Sequence, residues 1–304
     1  MEHLKVAVLM STYNGKKYIE EQILSILSQS NIHVQLIIRD DGSTDGTQDI
    51  IKRYSYCLEN VKFIQGNENL GPGMAFMTLL KNCFSNIYDY YAFADQDDIW
   101  HPNKLSKAVE KLMLLDKPVL YCSNQTIYKD GKELGLRFDN TPDLSLIGHI
   151  SKNALSGCTM VFNSTLAKII VDKPLPPKKL LQYRMHDAIV FLIALLNGEV
   201  IYDENSYINY RIHATNTVGL KKTNIFFRTR RFLKHDAKNI RKNSARYLLD
   251  YFPVEKKDKE ILEEIANYQR SFKERYKLLC DTRFYHESGE NKILFWIKIL
   301  LNYI

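Results

Sequence analysis

Two observations predict an α/β domain on a mostly parallel sheet. The first is apolar: Val6–Met10 is a continuous apolar run, the pattern of a strand buried on both faces, and Val34–Ile38, Val61–Ile64 and Tyr90–Ala94 read as three further apolar strands. The segments between them carry helical periodicity, so each crossover is a helix and neighbouring strands run parallel. The second is polar: three runs stop in Asn14-Gly15, in Arg39-Asp40-Asp41-Gly42 and in Asp95-Gln96-Asp97-Asp98. Open parallel sheets bind ligands beyond the carboxyl ends of their strands. The Asp40-Asp41 pair and the Asp95-Asp97-Asp98 cluster are therefore expected to converge on one crevice.

The elements follow in order. Tyr18, Ile19, Gln22, Ile23, Ile26 and Leu27 recur at helical spacing. Thr44 or Asp45 can cap the next helix, which carries Ile50, Ile51 and Tyr54. The loop Asn69-Leu70-Gly71-Pro72-Gly73 leads into a helix ending near Phe84. After Pro102 a helix is expected to about Leu115, then a strand over Val119–Ser123 and a hairpin turn at Asp130-Gly131. Thr159–Asn163 reads as a strand, Met185–Leu196 as an apolar helix opening on His186-Asp187, and Tyr207–Arg211 as a short strand. Gly157 is read as permitting a close backbone approach, with the Gly157-Cys158-Thr159 segment able to line a pocket.

Composition shifts near residue 220. Phe226, Leu233, Ile240 and Tyr247 recur every seven residues, Pro253 breaks the pattern, and Ile261, Ile265, Tyr268, Phe272, Tyr276 and Leu279 mark a second amphipathic helix. The division expected is an α/β domain over 1–219, with halves 1–98 and 99–219, and a basic helical region over 220–304. The positive excess of the chain is concentrated in this last region. Lys221, Lys222, Arg228, Arg230, Arg231, Lys234, Lys238, Arg241, Lys242 and Arg246 stand there against Asp236 alone up to residue 246, which suggests an anionic partner surface. Five cysteines with wide spacings and no C-x-x-C pair read as reduced, mostly buried thiols of a cytosolic protein. Val6–Met10 is too short for a secretory signal. No run reaches the roughly 18–20 apolar residues of a spanning helix.

Three groups of residues carry chemistry. Asp95 and Asp97 flank one residue at a strand end, where two carboxylates can share a hard cation, Mg²⁺ or Mn²⁺, and leave room for phosphates. Such an ion offsets charge on a departing diphosphate. The bland reading is an acidic turn with Asp98 as a helix cap. In the second group, Tyr13 can stack on a base and a carboxylate such as Asp41 can accept an imide N–H; two ordinary turns would look the same. In the third, Asp187 near a helix N-terminus tends to stay ionised, which suits a general base and equally a carboxylate that only stabilises its helix. Arg211 and His213 follow in Tyr210-Arg211-Ile212-His213, and imidazole can complete a metal shell.

The segments Val8-Leu9-Met10-Ser11-Thr12-Tyr13-Asn14, Ile37-Ile38-Arg39-Asp40-Asp41-Gly42-Ser43-Thr44-Asp45, Asn67-Glu68-Asn69-Leu70-Gly71 and Phe93-Ala94-Asp95-Gln96-Asp97-Asp98 together resemble glycosyltransferase family 2, of the GT-A fold. Asp95-Gln96-Asp97-Asp98-Ile99-Trp100 and His186-Asp187 look like bacterial rhamnosyltransferases of surface polysaccharide synthesis. The resemblance implies an inverting, metal-dependent transferase with a Rossmann-like sheet flanked by helices. Residues 1–98 would then hold the nucleotide-sugar and residues 99–219 the acceptor. Ser11, Tyr13 and Asp41 would hold the nucleoside, Asp95 the ribose or sugar side of the donor, and Asp97 the Mg²⁺ or Mn²⁺. Arg211 and His213 would sit near the diphosphate and metal, with His213 as a ligand. Asp187 matches the base, while His186 replaces the acidic partner common in the family. The implied donor is dTDP-rhamnose, or else a UDP-sugar; the implied acceptor is a hydroxyl of a glycan or lipid-linked saccharide.

Rival chemistries fit less well. A nucleotidyltransferase would open on a Gly-rich basic loop, whereas Ser11–Lys17 has one Gly and two Lys. No G-x-G-x-x-G follows Val6–Met10, which argues against a dehydrogenase, and no P-loop is present. A nucleic-acid-binding module would use the basic region but leaves the acidic crevice unexplained, so no nucleic-acid partner is expected. The basic stripe with Phe226, Phe227, Phe232 and Leu233, and the terminal run Ile293–Leu301 with Trp296 and Lys298, suit peripheral docking on the cytoplasmic face of a membrane. Packing on the catalytic domain or on a second subunit of a homo-oligomer are the alternatives.

Overall fold

The computed structural model describes residues 4–213, 238–286 and 288–304. The first half alternates strands and helices: β1 (Lys5–Thr12), α1 (Ile19–Leu27), β2 (His33–Asp40), α2 (Thr47–Cys57), β3 (Val61–Gln65), α3 (Pro72–Cys83) and β4 (Tyr90–Ala94). Val6, Val8 and Met10 alternate with Ala7 and Leu9 across β1, and all five are fully buried. Each face packs under helices, which explains the unbroken apolar run. α2 begins later than the Thr44–Asp45 signal, behind Gly46 in a left-handed conformation at φ 94°. Asp45 still serves it, with Oδ1 accepting from Thr47 N–H at 3.0 Å.

The second half contains β5 (Ile99–Trp100), α4 (Lys104–Leu112), β6 (Val119–Lys129), β7 (Lys132–Leu136), α5 (Leu146–Ser151), β8 (Val161–Asn163), α6 (Ser164–Val171), α7 (Lys178–Asn197) and β9 (Glu199–Arg211). A 3-10 turn, Gly157–Thr159, precedes β8, so the strand is shorter than expected. The sheet order is β3-β2-β1-β4-β8-β6-β9-β5, with β7 paired to β6. β3, β2, β1 and β4 are parallel. Beyond β4 the pairing is mixed: β8 runs antiparallel to β4 and β6, β6 is parallel to β9, and β5 returns antiparallel to β9. Asp130 and Gly131, at φ 50° and 82°, make the β6–β7 turn, as Asp-Gly pairs do.

α7 breaks at Met185, whose φ of 60° and ψ of 161° lie outside the helical region. The break re-aims the chain, so His186 and Asp187 open a new helical segment. That segment is buried from Ala188 to Ala194, which accounts for its apolar composition.

After the α/β layers come α8 (Ile240–Tyr251), α9 (Lys256–Asn267), α10 (Phe272–Cys280), α11 (Arg283–His286) and α12 (Lys292–Leu300). The single amphipathic helix expected from Ile261 to Leu279 is two helices. Tyr268 is fully buried at the break, and Ser271 Oγ accepts from Glu274 N–H at 3.1 Å to start the second, a capping interaction. Ala245, Leu248, Leu262, Ile265, Phe295 and Ile299 belong to the same buried cluster as Ile189, Phe191 and Leu192 of α7. The helices over 240–300 thus complete the core on one side of the sheet. Phe226, Phe227, Phe232, Leu233 and the basic residues from Lys221 to Lys234 lie outside the described residues. All five cysteines are unpaired; only Cys122 and Cys158 are buried, with Cys57 and Cys280 exposed. No helix among the described residues is long and apolar enough to cross a membrane.

Candidate active site

Strand register brings the polar loops together. Thr12 pairs with Asp40 across β1 and β2, and Met10 with Ala94 across β1 and β4. The next residues of all three strands therefore emerge at one edge. A cleft of about 600 Å³ opens there, and Ser11, Tyr13, Asp41, Asp95, Asp97 and Asp187 all line it.

Asp40 and Asp41 divide the work. Asp40, fully buried, accepts from Thr12 Oγ1 at 2.9 Å and from the N–H groups of Gly42 and Ser43 at 3.1 and 2.8 Å; it builds the loop. Asp41 Oδ2 accepts from Leu70 and Gly71 N–H, both at 2.9 Å, and Oδ1 pairs with Arg39. A carboxylate offers about four acceptor positions, and these donors fill three of them. Tyr13 is 50% exposed, with its ring free at the mouth. Its backbone is clamped by Gln96: Tyr13 N–H donates to Oε1 at 2.9 Å and Nε2 donates to Tyr13 O at 3.2 Å. A Cβ on Gly15 would stand 2.3 Å from that Oε1, so the clamp requires glycine. Sequence reasoning gave Gln96 no role, because only the register shows that it faces Tyr13.

Asp97 and His213 meet. His213 Nε2 lies 2.7 Å from Asp97 Oδ2, and each side chain is 14% exposed. β5 explains the meeting: it follows the acidic loop directly and pairs with Ile208 and Asn209 of β9, so the end of β9 is laid over residues 97 and 98. Arg211 N–H donates to Asp98 Oδ1 at 3.1 Å, and its Nε to Asp97 O at 2.8 Å. Arg211's guanidinium also pairs with Glu21 and stands 4.6 Å over the Tyr18 ring. It braces the acidic loop from the side. Asp98, a helix cap in the bland reading, is instead a buried tie between the acidic loop and β9.

The acidic cluster is crowded. Burial, then Asp97 and Asp187, pushes the Asp95 carboxyl up to about 7. Burial also raises Asp97, against the opposing pull of His213. Ligand atoms of Asp95, Asp98 and Cys158 lie within 4.8 Å of one another. Burial holds the Cys158 thiol well above its usual range, so it stays protonated and is a poor ligand for a hard cation. Asp97 with His213 is the better donor set: an oxygen that lines the cleft and an imidazole in contact with it, although His213 and Arg211 do not themselves line the cleft.

Asp187 lines the same cleft. It accepts from Ala188 N–H at 2.7 Å, and burial pushes its carboxyl up to about 6, against the pull of Asn153, Gly157 and Arg137. His186 turns the other way. Its ring stacks on Phe76 at 4.0 Å and meets Phe93 edge-on at 4.8 Å. Neither ring nitrogen has a hydrogen-bond partner, and burial lowers its pKa to about 3. His186 is therefore a neutral packing residue. A Cβ on Gly157 would lie 2.5 Å from its Nε2, which is the close approach expected at Gly157. Arg137, Asn153, Ser156 and Arg184 also line this half; as isolated polar residues in loops and a helix end they carried no sequence signal.

Such a sheet, with an acidic pair at the strand ends facing a lone carboxylate on a helix N-terminus, is the arrangement of a GT-A glycosyltransferase. The chain belongs to the glycosyl transferase family 2, whose model matches residues 7–170, more than half of its length. It is 29% identical to the dTDP-rhamnosyl transferase RfbG of Shigella flexneri over 228 residues, 73% of this chain and 76% of that protein. Among solved structures, S. aureus TarS (1-349) in complex with UDP-GlcNAc shares the fold with a TM-score of 0.59 at 19% identity, covering 99% of this chain and 80% of that one. The mannosyltransferase PcManGT of Pyrobaculum calidifontis, in complex with GDP-Man and Mn²⁺, does so with a TM-score of 0.55 at 15% identity, covering 98% and 86%.

Proposed function

We propose that this family 2 glycosyltransferase acts in cell-surface polysaccharide synthesis, transferring a sugar with inversion from a nucleoside diphosphate donor to a hydroxyl of a glycan or lipid-linked saccharide. The single observation that carries the reading is that one cleft is lined both by Asp97, which is paired with His213, and by Asp187. The likeness to RfbG supports dTDP-rhamnose as donor; a UDP-sugar is the alternative, supported by the TarS complex.

The chain's residues take these roles. The Tyr13 ring stacks on the base, and Asp41, at the cleft wall, holds the nucleoside beside it. Ser11 and Asp95 face the ribose and sugar. Asp97 and His213 would hold a Mg²⁺ or Mn²⁺ ion, whose bound charge offsets that of the diphosphate; the Mn²⁺ complex of PcManGT supports this. Arg211 keeps Asp97 in place through its backbone carbonyl. Asp187 accepts the acceptor hydroxyl's proton as that oxygen bonds to the anomeric carbon. The bond from that carbon to the diphosphate oxygen breaks on the opposite face, and its electron pair leaves with the nucleoside diphosphate. A base is most effective with a pKa near the working pH, and burial moves Asp187 toward it.

We further place the enzyme peripherally at the inner face of the cell membrane. Support comes from α12, which buries Phe295 and Ile299 but leaves Ile293, Trp296, Ile297 and Leu300 exposed beside Lys292. Such a helix suits an interface.

The test is a donor screen by nucleoside diphosphate release. dTDP-rhamnose and common UDP-sugars are offered with a mixed saccharide acceptor pool, with and without Mn²⁺. Release from one donor, dependent on acceptor and metal, is expected. No turnover or binding of any donor would contradict the reading.

A further inference from the structure

The half of the cleft around Asp187 holds two guanidinium groups, and no carboxylate among the described residues forms an ion pair with either. Arg184, at the bend before Met185, is only 8% exposed. Its Nη2 donates to Ile150 O, and its buried Nε has no partner. Arg137 follows β7. Its Nη1 donates to Gln125 Oε1 at 2.5 Å and to Ser156 Oγ, and the group stands 5.0 and 6.0 Å from the Phe138 and Tyr210 rings. A guanidinium carries five N–H donors, so most of this fork is open to the cleft.

Buried cations are normally paired, because an uncompensated charge in a low-dielectric site is costly. Arg39 and Arg241 follow that rule here. Asp187 feels both guanidinium groups without forming an ion pair with either, and the proposed mechanism needs it free to accept a proton. Neither guanidinium therefore has an ion-paired anion among the described residues before any ligand enters. The donor's diphosphate is assigned to the other end of the cleft, beside Asp97 and His213. An open charge deficit on the acceptor side fits a ligand that brings its own negative charge.

We propose that the acceptor is an acidic saccharide, bearing a carboxylate or phosphate close to the attacked hydroxyl. Arg137 reads that group through its planar fork, and Arg184 supplies positive potential from behind. Bidentate pairing with arginine suits both anions. This inference rests on the reading of the cleft as a glycosyl-transfer site.

The test uses the full chain with Mn²⁺ and saturating dTDP or UDP, titrated by ligand-observed NMR. The probes are methyl glucoside, methyl glucuronoside and glucose 1-phosphate. The glucuronoside or the phosphate is expected to bind at least tenfold tighter than the neutral glucoside, and whichever leads identifies the anion. Arg137→Gln should abolish the preference while nucleotide affinity stays within twofold. If that variant does not fold, Arg137→Lys, which keeps charge but loses the fork, should reduce the preference at least threefold. Equal binding of all three probes, or an undiminished preference in a folded Arg137 variant, would overturn the proposal. So would a variant that loses nucleotide affinity instead, since Arg137 would then serve the donor. In these cases nucleotide binding by the wild type leaves glycosyl transfer standing. Failure of the wild type to bind either nucleotide would overturn that reading and this inference with it.

Discussion

His213 Nε2 lies 2.7 Å from Asp97 Oδ2, between residues 116 positions apart in the chain. If this pair holds the divalent ion, excess EDTA should abolish transfer and Mn²⁺ should restore it. His213→Ala should weaken metal-dependent nucleoside diphosphate binding by roughly 10–100-fold, the range seen when a metal site loses a supporting group. Calorimetry with and without Mn²⁺ reads both. Full activity in EDTA would remove the metal from the account.

Gly157 and His186 form a tight packing contact that positions the base. Gly157→Ala would drive a methyl group to 2.5 Å from His186 Nε2, and the ring is held between Phe76 and Phe93. The ring and the adjacent Asp187 must then shift. A misplacement of about 1 Å can cost on the order of 10²-fold in rate. We expect kcat to fall at least tenfold with donor affinity unchanged. Wild-type kcat in a folded Gly157→Ala variant would show that the contact does not govern Asp187.

The pH profile follows from burial. Asp187 titrates near 6 and must be ionised to act, so kcat/KM should rise with pH through about 6 and then level. The neutral His186, at about 3, should leave no mark on the profile. Stability runs the other way. The folded carboxyl is raised above its unfolded value of 3.8, so the folded state binds the proton more tightly. The group's contribution to stability falls as pH rises from about 4 to 6 and stays low above it. Asp187→Asn should therefore raise Tm at pH 7 by a few degrees, and by less at pH 4. An unchanged or lowered Tm at pH 7 would contradict the burial argument.

Membrane docking by α12 is separable from folding. Ile293, Ile297 and Leu300 are 67, 40 and 57% exposed, so changing all three to Ser should spare the core. Co-sedimentation with vesicles of anionic phospholipid should fall at least fivefold in the triple variant, with Tm within about 2 °C. Equal pelleting of both proteins would take α12 out of the interface.

Much of this was legible in the sequence. The apolar runs are β1 to β4: β1 and β4, buried along their apolar length, are unbroken, whereas Gln35 interrupts β2 and Lys62 interrupts β3, an edge strand that leaves Lys62 and Ile64 exposed. The acidic ends of β2 and β4 lie in one cleft because the strands run parallel. β6 and β9 were read too short: Ser123, Asn124 and Gln125 are polar yet buried, and they sit where β6 slips register against β9, so no apolar run marks them. The break between α9 and α10 did have a signal, Ser271 three residues before Glu274, but the apolar periodicity continues across it. Arg137 and Arg184 were silent, because an isolated arginine reads as surface until burial shows that it has no counter-ion.

The central claim is that Asp187 is the base opposite a donor site it does not build. It is tested most directly by Asp187→Asn, which keeps shape and removes basicity, with donor binding and transfer measured on the same sample. Donor affinity should stay within threefold of wild type while transfer falls about 10²–10⁴-fold, the usual cost of losing a general base. Transfer at near wild-type rate would contradict the account, and so would loss of donor binding in step with activity.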